Sequence, residues 1–394
     1  MSALISKNFL GTDADFVIDN EMGKWSNAAT DVEYVIGDPS SALSVDQLLS
    51  LYNLDMPTVA TEKFRNAMSV VGAQNLPWQK IIPRKEYIKR FRAVVAKAQS
   101  AISVLQDNEY SGFFLKSNAV FSSLVPSHID VDALDQQLAV NDVAALRSIK
   151  RMLSGSALPT PLYNRVKTKT GRLTITQGPQ ILTLKKEFRA MFKSSFKSGS
   201  LYEIDFVSLE PRVALNIADG DDRQDDVYKC FVDTHDLQIT RDTAKLAVLC
   251  ALYGAGTSKL TQVLKQDGSK MTARQLLSKI STFFGVNELI SALKSQCKSG
   301  YITNYFGRPI EVDDARDSIL VNNFLQSTAS DLAIHAFSSF SEDKRFPALP
   351  VFLIHDALIV DVKSGDEAAL EDYLKDGFIH EKLGRFPLKL KRLQ

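Results

Sequence analysis

The chain is short of the residues that build disulfide frameworks and zinc sites. Its 394 residues include three cysteines, Cys230, Cys250 and Cys297, and five histidines. Three scattered cysteines are too few for a disulfide framework, and their spacing does not match a cysteine-based zinc site. This pattern excludes a small disulfide-bonded secreted protein and favours a reducing compartment.

Long hydrophobic runs are also missing. No stretch has the roughly 18 apolar residues that cross a bilayer, and the start, MSALISKNFLGTD, lacks the basic segment and apolar core of a signal peptide. We therefore expect a cytoplasmic protein without a membrane partner. Because the formal net charge is only +1, a polyanion would have to bind a local basic patch rather than the whole surface.

What the sequence does contain is enough apolar residues, 45%, for two or three packed subdomains. Near the start, DFVID and VEYVI have the pattern of short strands, and SVDQLLSLYNL has that of a capped helix. A helical period runs through RKEYIKRFRAVVAKAQSAISVLQ (84–106), and VDALDQQLAVNDVAALRSIKRMLS (131–154) predicts a second helix. The loop GSALPTP (155–161) marks a subdomain boundary.

Both predicted helices carry clustered cations. Those of the first are Arg84, Lys85, Lys89, Arg90, Arg92 and Lys97, and those of the second are Arg147, Lys150 and Arg151. Such a face is either a solvated helix surface or a surface that follows a phosphate backbone. The residues alone leave both interpretations open.

Two carboxylates are predicted to lie where strands end. The segment SLYEIDFVSLEPRVALNIADG (200–220) indicates a strand ending near Asp205, with Ser208 as a possible N-cap and a helix from about Leu209. The segment VFLIHDALIVDV (351–362) indicates a hairpin with Asp356 at its tip. Taken singly, each pattern is also typical of an ordinary turn with a solvated acid.

A third segment adds cations to these acids. In TRDTAKLAVLCALYGAG (240–256), Arg241, Lys245, Leu249 and Tyr253 recur every four residues along one helix, before glycines that stop it. Two cations one turn apart suit a triphosphate, and a ring further along suits stacking on a base. The same stripe is also typical of an ordinary helix whose two cations form surface salt bridges and whose apolar residues pack in the core.

Together these segments resemble DNA polymerase family A, the group of bacterial DNA polymerase I and many phage replicases. The three stretches DFVSLEPR, RDTAKLAVLCALYG and LIHDALIV resemble its three motifs in the family's order. Four further stretches fit in order: TGRL (170–173), RAMF (189–192), GYITNYFGRP (300–309) and NNFLQSTASD (322–331). The resemblance runs from about Tyr163 to the C-terminus.

The resemblance implies an α+β fold of the right-hand polymerase type, with palm, fingers and thumb, an antiparallel palm sheet and a small N-terminal mixed unit. The implied divisions are a reduced accessory unit at 1–80, a thumb-like helical region at 81–160, palm at 161–221 and 301–394, and fingers at 222–300. It also implies a template-directed DNA polymerase that extends a primer 3′-hydroxyl with deoxynucleotides.

For the chemistry, the resemblance implies that Asp205 and Asp356 hold two Mg²⁺ ions, for which Mn²⁺ can substitute. Lys245 is then a catalytic residue that protonates the leaving group as well as a triphosphate ligand. The implied nucleotide-binding residues are Arg241, Lys245, Leu249, Tyr253 and Glu210, and the implied DNA-binding residues are His355, Arg172, Asn322 and Gln326.

Glu210 bears on the choice of sugar. The glutamate of the resembled motif fills the space beside C2′ of the sugar, which argues for deoxynucleotides. Two departures from the family are clear: Leu249 replaces the usual Phe or Tyr, and Ala357 replaces the acid that often follows the catalytic aspartate. They leave discrimination at the 3′ position open and weaken the case for a third carboxylate.

The N-terminal segment fits the family poorly. FVIDNE places Asp19 and Glu21 after a strand, as in the first motif of a 3′ to 5′ exonuclease, but only some 80 residues are available for that domain. We expect a polymerase without proofreading, of a compact phage or mobile-element type, in a bacterial or phage-infected cell.

The expected partners are primer-template DNA, dNTPs and replication accessory proteins, and the expected state is a monomer. Two alternatives stay open. One is a single-subunit RNA polymerase or primer-synthesising enzyme. The other is a catalytically silent module that binds primed DNA.

Overall fold

The computed structural model describes residues 2–19, 22–28, 31–73, 76–141, 143–219, 226–254 and 257–393. The chain divides into two compact units, Met1–Ser122 and Ser123–Gln394. Within the residues described, no helix has the length and apolar character that crossing a membrane requires.

The helices lie in this order along the chain: α1 (Lys7–Leu10), α2 (Asp46–Leu51), α3 (Glu62–Val70), α4 (Trp78–Ile81), α5 (Arg84–Gln106), α6 (Glu109–Lys116), α7 (Ala119–Ser123), α8 (Val131–Val140), α9 (Ala144–Met152), α10 (Leu209–Asp219), α11 (Val227–Thr234), α12 (Arg241–Tyr253), α13 (Thr257–Gln266), α14 (Ala273–Phe283), α15 (Val286–Gln296), α16 (Asp317–Glu342) and α17 (Glu367–Leu374). Short 3-10 helices span Ile181–Thr183, Lys186–Met191 and Cys297–Ser299.

The strands are β1 (Ser2–Ile5), β2 (Asp15–Asp19), β3 (Met22–Ser26), β4 (Tyr34–Ile36), β5 (Ser127–Ile129), β6 (Ala157–Leu158), β7 (Leu162–Asn164), β8 (Thr174–Gln177), β9 (Phe192–Lys193), β10 (Ser200–Phe206), β11 (Tyr301–Thr303), β12 (Pro309–Glu311), β13 (Leu349–Ile354), β14 (Ala357–Val362), β15 (Phe378–His380), β16 (Gly384–Phe386) and β17 (Leu388–Arg392).

The first unit contains a four-stranded sheet in the order β3-β2-β1-β4, in which β1 pairs antiparallel with β2 and parallel with β4. The predicted strand DFVID is confirmed as β2, and part of VEYVI forms β4. The predicted helix in SVDQLLSLYNL is confirmed as α2, but its predicted cap is wrong, because Val45 occupies the N-cap and offers no side-chain acceptor. Asp19 lies exposed at the end of β2, and Glu21 lies outside the described residues.

The long helix α5 has the predicted bounds and buries a stripe at helical spacing: Tyr87, Val94, Ala98, Ala101, Ile102 and Leu105. The Tyr87 hydroxyl donates to the Leu10 carbonyl at 3.2 Å and so ties α5 to the end of α1. The second predicted helix is wrong as a single element. It divides into α8 and α9 because Asn141 adopts an extended conformation, with φ −122° and ψ 119°, as asparagine does readily at helix ends.

A four-stranded antiparallel sheet, in the order β13-β14-β10-β17, is the centre of the second unit. All six residues of β14 are buried, and so are six of the seven residues of β10. One face packs on α16, where the rings of Phe206 and Phe337 are 5.6 Å apart. Smaller antiparallel sheets are formed by β6-β5-β9, β7-β8, β11-β12 and β15-β16. The predicted α+β class with an antiparallel sheet is confirmed, and the finer subdomain boundaries stay predictions.

A buried charge cluster joins α16 to two loops of the second unit. The Asp331 carboxylate, fully buried, lies 2.9 Å from Arg165 Nη2 and 3.6 Å from Arg308 Nη1, and it accepts from Asn304 Nδ2 at 2.8 Å. Arg308 also donates to the Arg165 carbonyl. Because two buried guanidinium groups share this carboxylate, its loss would remove a negative charge that faces both of them in the interior.

Asp331→Asn should lower the free energy of unfolding by about 3 kcal/mol or more, because removing the charge of one member of a buried ion pair is strongly destabilising. Urea denaturation of the purified protein measures the change. Asp313→Asn is the matched control, since it removes an exposed carboxylate paired with Lys169 and should change little. Equal stability of the Asp331 variant and the parent would contradict the role given to the cluster.

Candidate polymerase active site

Strand pairing brings Asp205 and Asp356 to the same end of the central sheet. In the antiparallel register of β10 and β14, Asp205 lies opposite Ala357, so Asp356 is the next residue beyond that pair. A two-residue turn of His355 and Asp356 joins β13 to β14, and His355 takes a left-handed conformation with φ 56°. The predicted hairpin with Asp356 at its tip is therefore what the structure has.

The two carboxylates interact electrostatically. Burial raises the pKa of Asp205 to about 6, the charges of Asp356 and Glu203 add to the rise, and Lys186 opposes it. Repulsion between the two carboxylates thus raises the free energy of the ionised pair, and a bound cation would lower it. Carboxylate oxygens are the ligands that hard divalent cations prefer, and Mg²⁺ commonly takes one or two of them together with substrate phosphates and water. The donor set fits a magnesium site.

A third acid, Glu203, lies two residues before Asp205 on the same face of β10 and is only 5% exposed. Its carboxylate lies 2.8 Å from Arg189 Nη1 and 3.5 Å from Lys186 Nζ, so its charge is balanced. No group of three or more histidine, cysteine or acidic side chains suited to a metal occurs in the described part of the chain. Sequence reasoning missed Glu203, although its two-residue spacing from Asp205 could have indicated it.

Arg172 and Glu210 form an ion pair in the wall of a cavity. Arg172 Nη2 lies 3.5 Å from Glu210 Oε1. The helix that carries Glu210, α10, begins at Leu209 as predicted, and Pro211 lies in its first turn. Burial raises the pKa of Glu210, the charge of Asp356 adds to the rise, and Arg172 opposes it. Glu210 therefore lies within electrostatic reach of the carboxylate at the hairpin tip.

The cavity encloses about 220 Å³. Four of the predicted site residues line it, namely Arg172, Glu210, His355 and Asp356. The remaining lining comes from the loop before β8, from the start of α10 and from one stripe of α16: Gly171, Leu173, Leu209, Ala329, Ser330 and Ile334. The structure thus gathers residues from four of the seven quoted sequence stretches around one small space.

Gln326 of α16 supports Arg172 from one side. The Gln326 amide is assigned with its oxygen towards the guanidinium, where it accepts from Nη2 at 2.9 Å and from Nη1 at 3.1 Å. Its nitrogen then donates to Thr170 Oγ1 at 2.6 Å. Asn322 lies one turn earlier on α16, half-buried. Two of the predicted DNA-binding residues, Arg172 and Gln326, are therefore in direct contact.

The surroundings of His355, at the hairpin tip, favour the neutral form of its imidazole. Partial burial lowers the pKa of its imidazole, and the cations Arg172 and Arg189 lower it further, while Asp356 acts in the opposite direction. Its ring lines the cavity beside Asp356. A neutral imidazole at this point can either donate or accept a hydrogen bond.

The stripe on α12 has the predicted arrangement. Arg241 and Lys245 are exposed and Leu249 and Tyr253 are half-buried, while Ala244, Ala247 and Val248 face the core. Lys245 makes no ion pair with any residue that the structure describes. The cations therefore point away from the packed face of the helix.

Arg241 already has a partner in this structure. Its Nε lies 2.5 Å from Asp226 Oδ2, and its guanidinium carbon is 5.2 Å from the centre of the Tyr228 ring. Asp226 also caps α11 by accepting from the backbone N–H groups of Tyr228 and Lys229. Sequence reasoning missed Asp226, although an aspartate directly before a helical segment is a recognisable cap.

The end of α12 is fixed close to α16. The C-cap Gly254 has φ 70°, and a Cβ placed there would lie 2.4 Å from the Ser318 Cβ. Burial raises the pKa of Tyr253, just before this glycine, and the charge of Glu210 adds to the rise. Gly256, also predicted to stop the helix, lies outside the described residues. Tyr253 thus lies within electrostatic reach of Glu210.

Comparison with known proteins identifies the family. Residues 136–391 match the family "DNA polymerase family A". A "DNA polymerase" of Mycobacterium phage L5 is 25% identical over 211 residues, which cover 52% of this chain and 35% of the phage protein. The chain therefore matches about a third of the length of that relative. It belongs to DNA polymerase family A, whose members use divalent metal ions.

A solved structure shows the same fold. The POL domain of Pol1 from M. smegmatis, in complex with DNA primer-template and dNTP, matches with a TM-score of 0.64 and 12% identity. The match covers 99% of this chain and 94% of that one. At this identity, the likeness concerns the fold alone.

Asp205→Asn should stabilise the protein in the absence of divalent ions, by about 1 kcal/mol after solvent screening is allowed for, because it removes one of two repelling charges. Mg²⁺ should then stabilise the parent more than the variant. Urea denaturation with EDTA and with Mg²⁺ measures both effects, and Glu381→Gln, at an exposed position, is the control. A variant less stable than the parent in EDTA would contradict this account of the site.

Proposed function

We propose that this chain is a template-directed DNA polymerase that adds deoxynucleotides to a primer 3′-hydroxyl. The observation that carries the proposal is the pairing of β10 with β14, which sets Asp205 beside the residue that follows Asp356. Membership of DNA polymerase family A supports it. The M. smegmatis structure was solved with primer-template and dNTP, and these are the substrates proposed here.

Asp205 and Asp356 would hold two Mg²⁺ ions, which supply activation of the primer hydroxyl and charge neutralisation at the leaving pyrophosphate when bound. The rigid hairpin fixes the direction of Asp356, and the Glu203 pair with Arg189 and Lys186 keeps a further acid from adding its full charge to the site. The contribution of the protein is thus mainly position and charge.

Arg241 and Lys245 would bind the incoming triphosphate. They lie one turn apart on the exposed face of α12, so they can reach different phosphates. Lys245, an ammonium donor, would also give a proton to the leaving pyrophosphate. Leu249 and Tyr253, further along the same face, would form the sugar and base end of the pocket.

Arg172, Gln326, Asn322 and His355 would contact the DNA near the reacting end. The contact of Arg172 with both Glu210 and Gln326 links the nucleotide pocket to the duplex-binding residues. Because the guanidinium is held on two sides, it would be presented to the DNA in one orientation, which lowers the ordering cost of binding.

Primer extension tests the proposal directly. The parent protein with Mg²⁺ and dNTPs should extend a labelled primer according to the template, and Asp356→Asn should lose extension while it keeps most of its affinity for primed DNA. The expected loss is at least a thousandfold, because the variant removes a metal ligand. Asp376→Asn, which changes an exposed acid, is the matched control.

The same assay separates the alternatives. Extension with rNTPs only would indicate an RNA polymerase or a primer-synthesising enzyme. Binding of primed DNA without any extension would indicate a catalytically silent module. Equal activity of Asp356→Asn and the parent would remove Asp356 from the proposed site. A mismatched primer end tests the expected lack of proofreading.

Glu210→Ala should admit ribonucleotides. Glu210 is largely buried at the edge of the cavity, so its truncation should open space for a 2′-hydroxyl and lower the preference for dNTPs by about tenfold or more. Single-nucleotide extension with each substrate measures the ratio. Glu210→Gln keeps the size of the side chain without its charge and should retain most of the selectivity, and undiminished selectivity in Glu210→Ala would count against a sugar gate here.

A further inference from the structure

The first unit carries an aromatic cluster with one half-exposed member. Trp25, on β3, is 49% exposed, and its ring stacks on Phe91 of α5 with centroids 5.3 Å and planes 22° apart. Phe16 packs edge-on against each of these two rings at 5.0 Å. Tyr87 continues the stack beyond Phe91 at 6.2 Å, with an angle of 15° between the planes.

Local geometry fixes the position of Trp25. It pairs across the strands with Phe16, whose ring lies over Gly23, and a Cβ at Gly23 would fall 2.2 Å from that ring. A side chain at position 23 would therefore displace the Phe16 ring that supports the indole. The half-exposed ring is held in place before any ligand arrives.

The helix flank beside this cluster is strongly basic. Arg84 and Ile88 lie two turns and one turn before Phe91 on the same side of α5, and Arg92 follows Phe91 directly. Lys85 and Lys89 lie on the next stripe outward, while no acidic residue occurs from Tyr87 to Gln106.

Nearby acids compensate these cations only in part. The acid in the first turn of α5, Glu86, is paired with Arg90 at 2.7 Å and also interacts electrostatically with Lys89. Within the described part of the chain, no ion pair includes Arg84, Lys85, Lys89 or Arg92. Core packing accounts for the buried rings, but it does not require a half-exposed indole beside these four cations.

We propose that Trp25 and the basic flank of α5 form a binding site for single-stranded DNA. An open indole can stack on an unpaired base, and the cations match the adjacent phosphates, which is how proteins bind single strands without reading their sequence. A duplex hides its base faces from a stacking ring, and an apolar peptide would not use the cations. The site extends the proposed function, since a polymerase template is single-stranded ahead of the primer.

Fluorescence of Trp25 provides the test. The chain has two tryptophans, so Trp78→Phe leaves Trp25 as the reporter in the full-length protein. Titration with a dodecamer of deoxythymidine, without nucleotide or divalent ion, should quench the fluorescence in a saturable manner. A duplex of equal length should give little quenching.

Two kinds of variant separate stacking from charge. Fluorescence anisotropy of a labelled oligonucleotide measures the affinity of each variant. Trp25→Ala should weaken binding by about tenfold, whereas Trp25→Phe should keep most of the affinity. Arg84→Gln and Arg92→Gln should each reduce the slope of log K against log salt by about 0.7. Lys97→Gln is the matched control, because Lys97 lies six positions after Phe91 and so on the other flank of α5.

Unchanged fluorescence, or equal binding by Trp25→Ala and the parent, would overturn the site. If Trp25→Ala fails to fold by circular dichroism, the arginine variants, which keep the Trp25 reporter, decide the question through the quenching and the salt slope. If the protein binds the oligonucleotide but does not extend primers, the single-strand site is supported and the proposed polymerase function is contradicted. If the protein extends primers but the fluorescence of Trp25 does not change, the polymerase function is supported and the single-strand site is contradicted.

Discussion

The antiparallel pairing of β10 with β14 is the constraint on which the site depends. It brings together two acids that are far apart in the sequence, at a point where both strands leave the buried part of the sheet. Strand register changes in whole residues, and a shift of one would turn each side chain to the other face. The buried residues of both strands therefore fix the acids as firmly as they fix the core.

Charge is balanced differently at each depth of the second unit. At the sheet end, the charges of Asp205 and Asp356 repel each other, whereas Glu203, two residues before Asp205 on β10, is paired with Arg189 and Lys186. Deeper still, Asp331 pairs with Arg165 and Arg308. Among these four acids, the two without an ion-pair partner in the described part of the chain thus lie at the sheet end, where the proposed metal ions would bind.

The buried charge cluster around Asp331 also supports one wall of the cavity. Arg308 lies directly under Gly171, where a Cβ would come within 3.0 Å of the guanidinium, and Gly171 has φ 77°. The loop that carries Arg172 therefore rests on a side chain fixed by Asp331. Rigid support of this kind is what a site needs if its outer residues are to act in one geometry.

Sequence patterns predicted those elements whose formation depends on residues close together in the chain. The strand ending at Asp205, the helix from Leu209, the hairpin at Asp356 and the stripe on α12 all follow from short-range periodicity and turn signals. Asp226 as the partner of Arg241, and Arg189 as the partner of Glu203, were missed because long side chains choose partners through tertiary packing. The break between α8 and α9 was missed because the helical period continues across Asn141 without a proline or glycine to mark the end.

The ion pair of Arg241 with Asp226 makes nucleotide binding an exchange of partners rather than a simple addition. An incoming anion gains only the difference between its own attraction and that of a carboxylate already in place, so ligands with few negative charges gain little. Asp226 loses little in the exchange, because it keeps the two backbone N–H groups at the start of α11. With Arg241 as a triphosphate ligand, the free protein would resist occupation by abundant cellular monophosphates and inorganic phosphate.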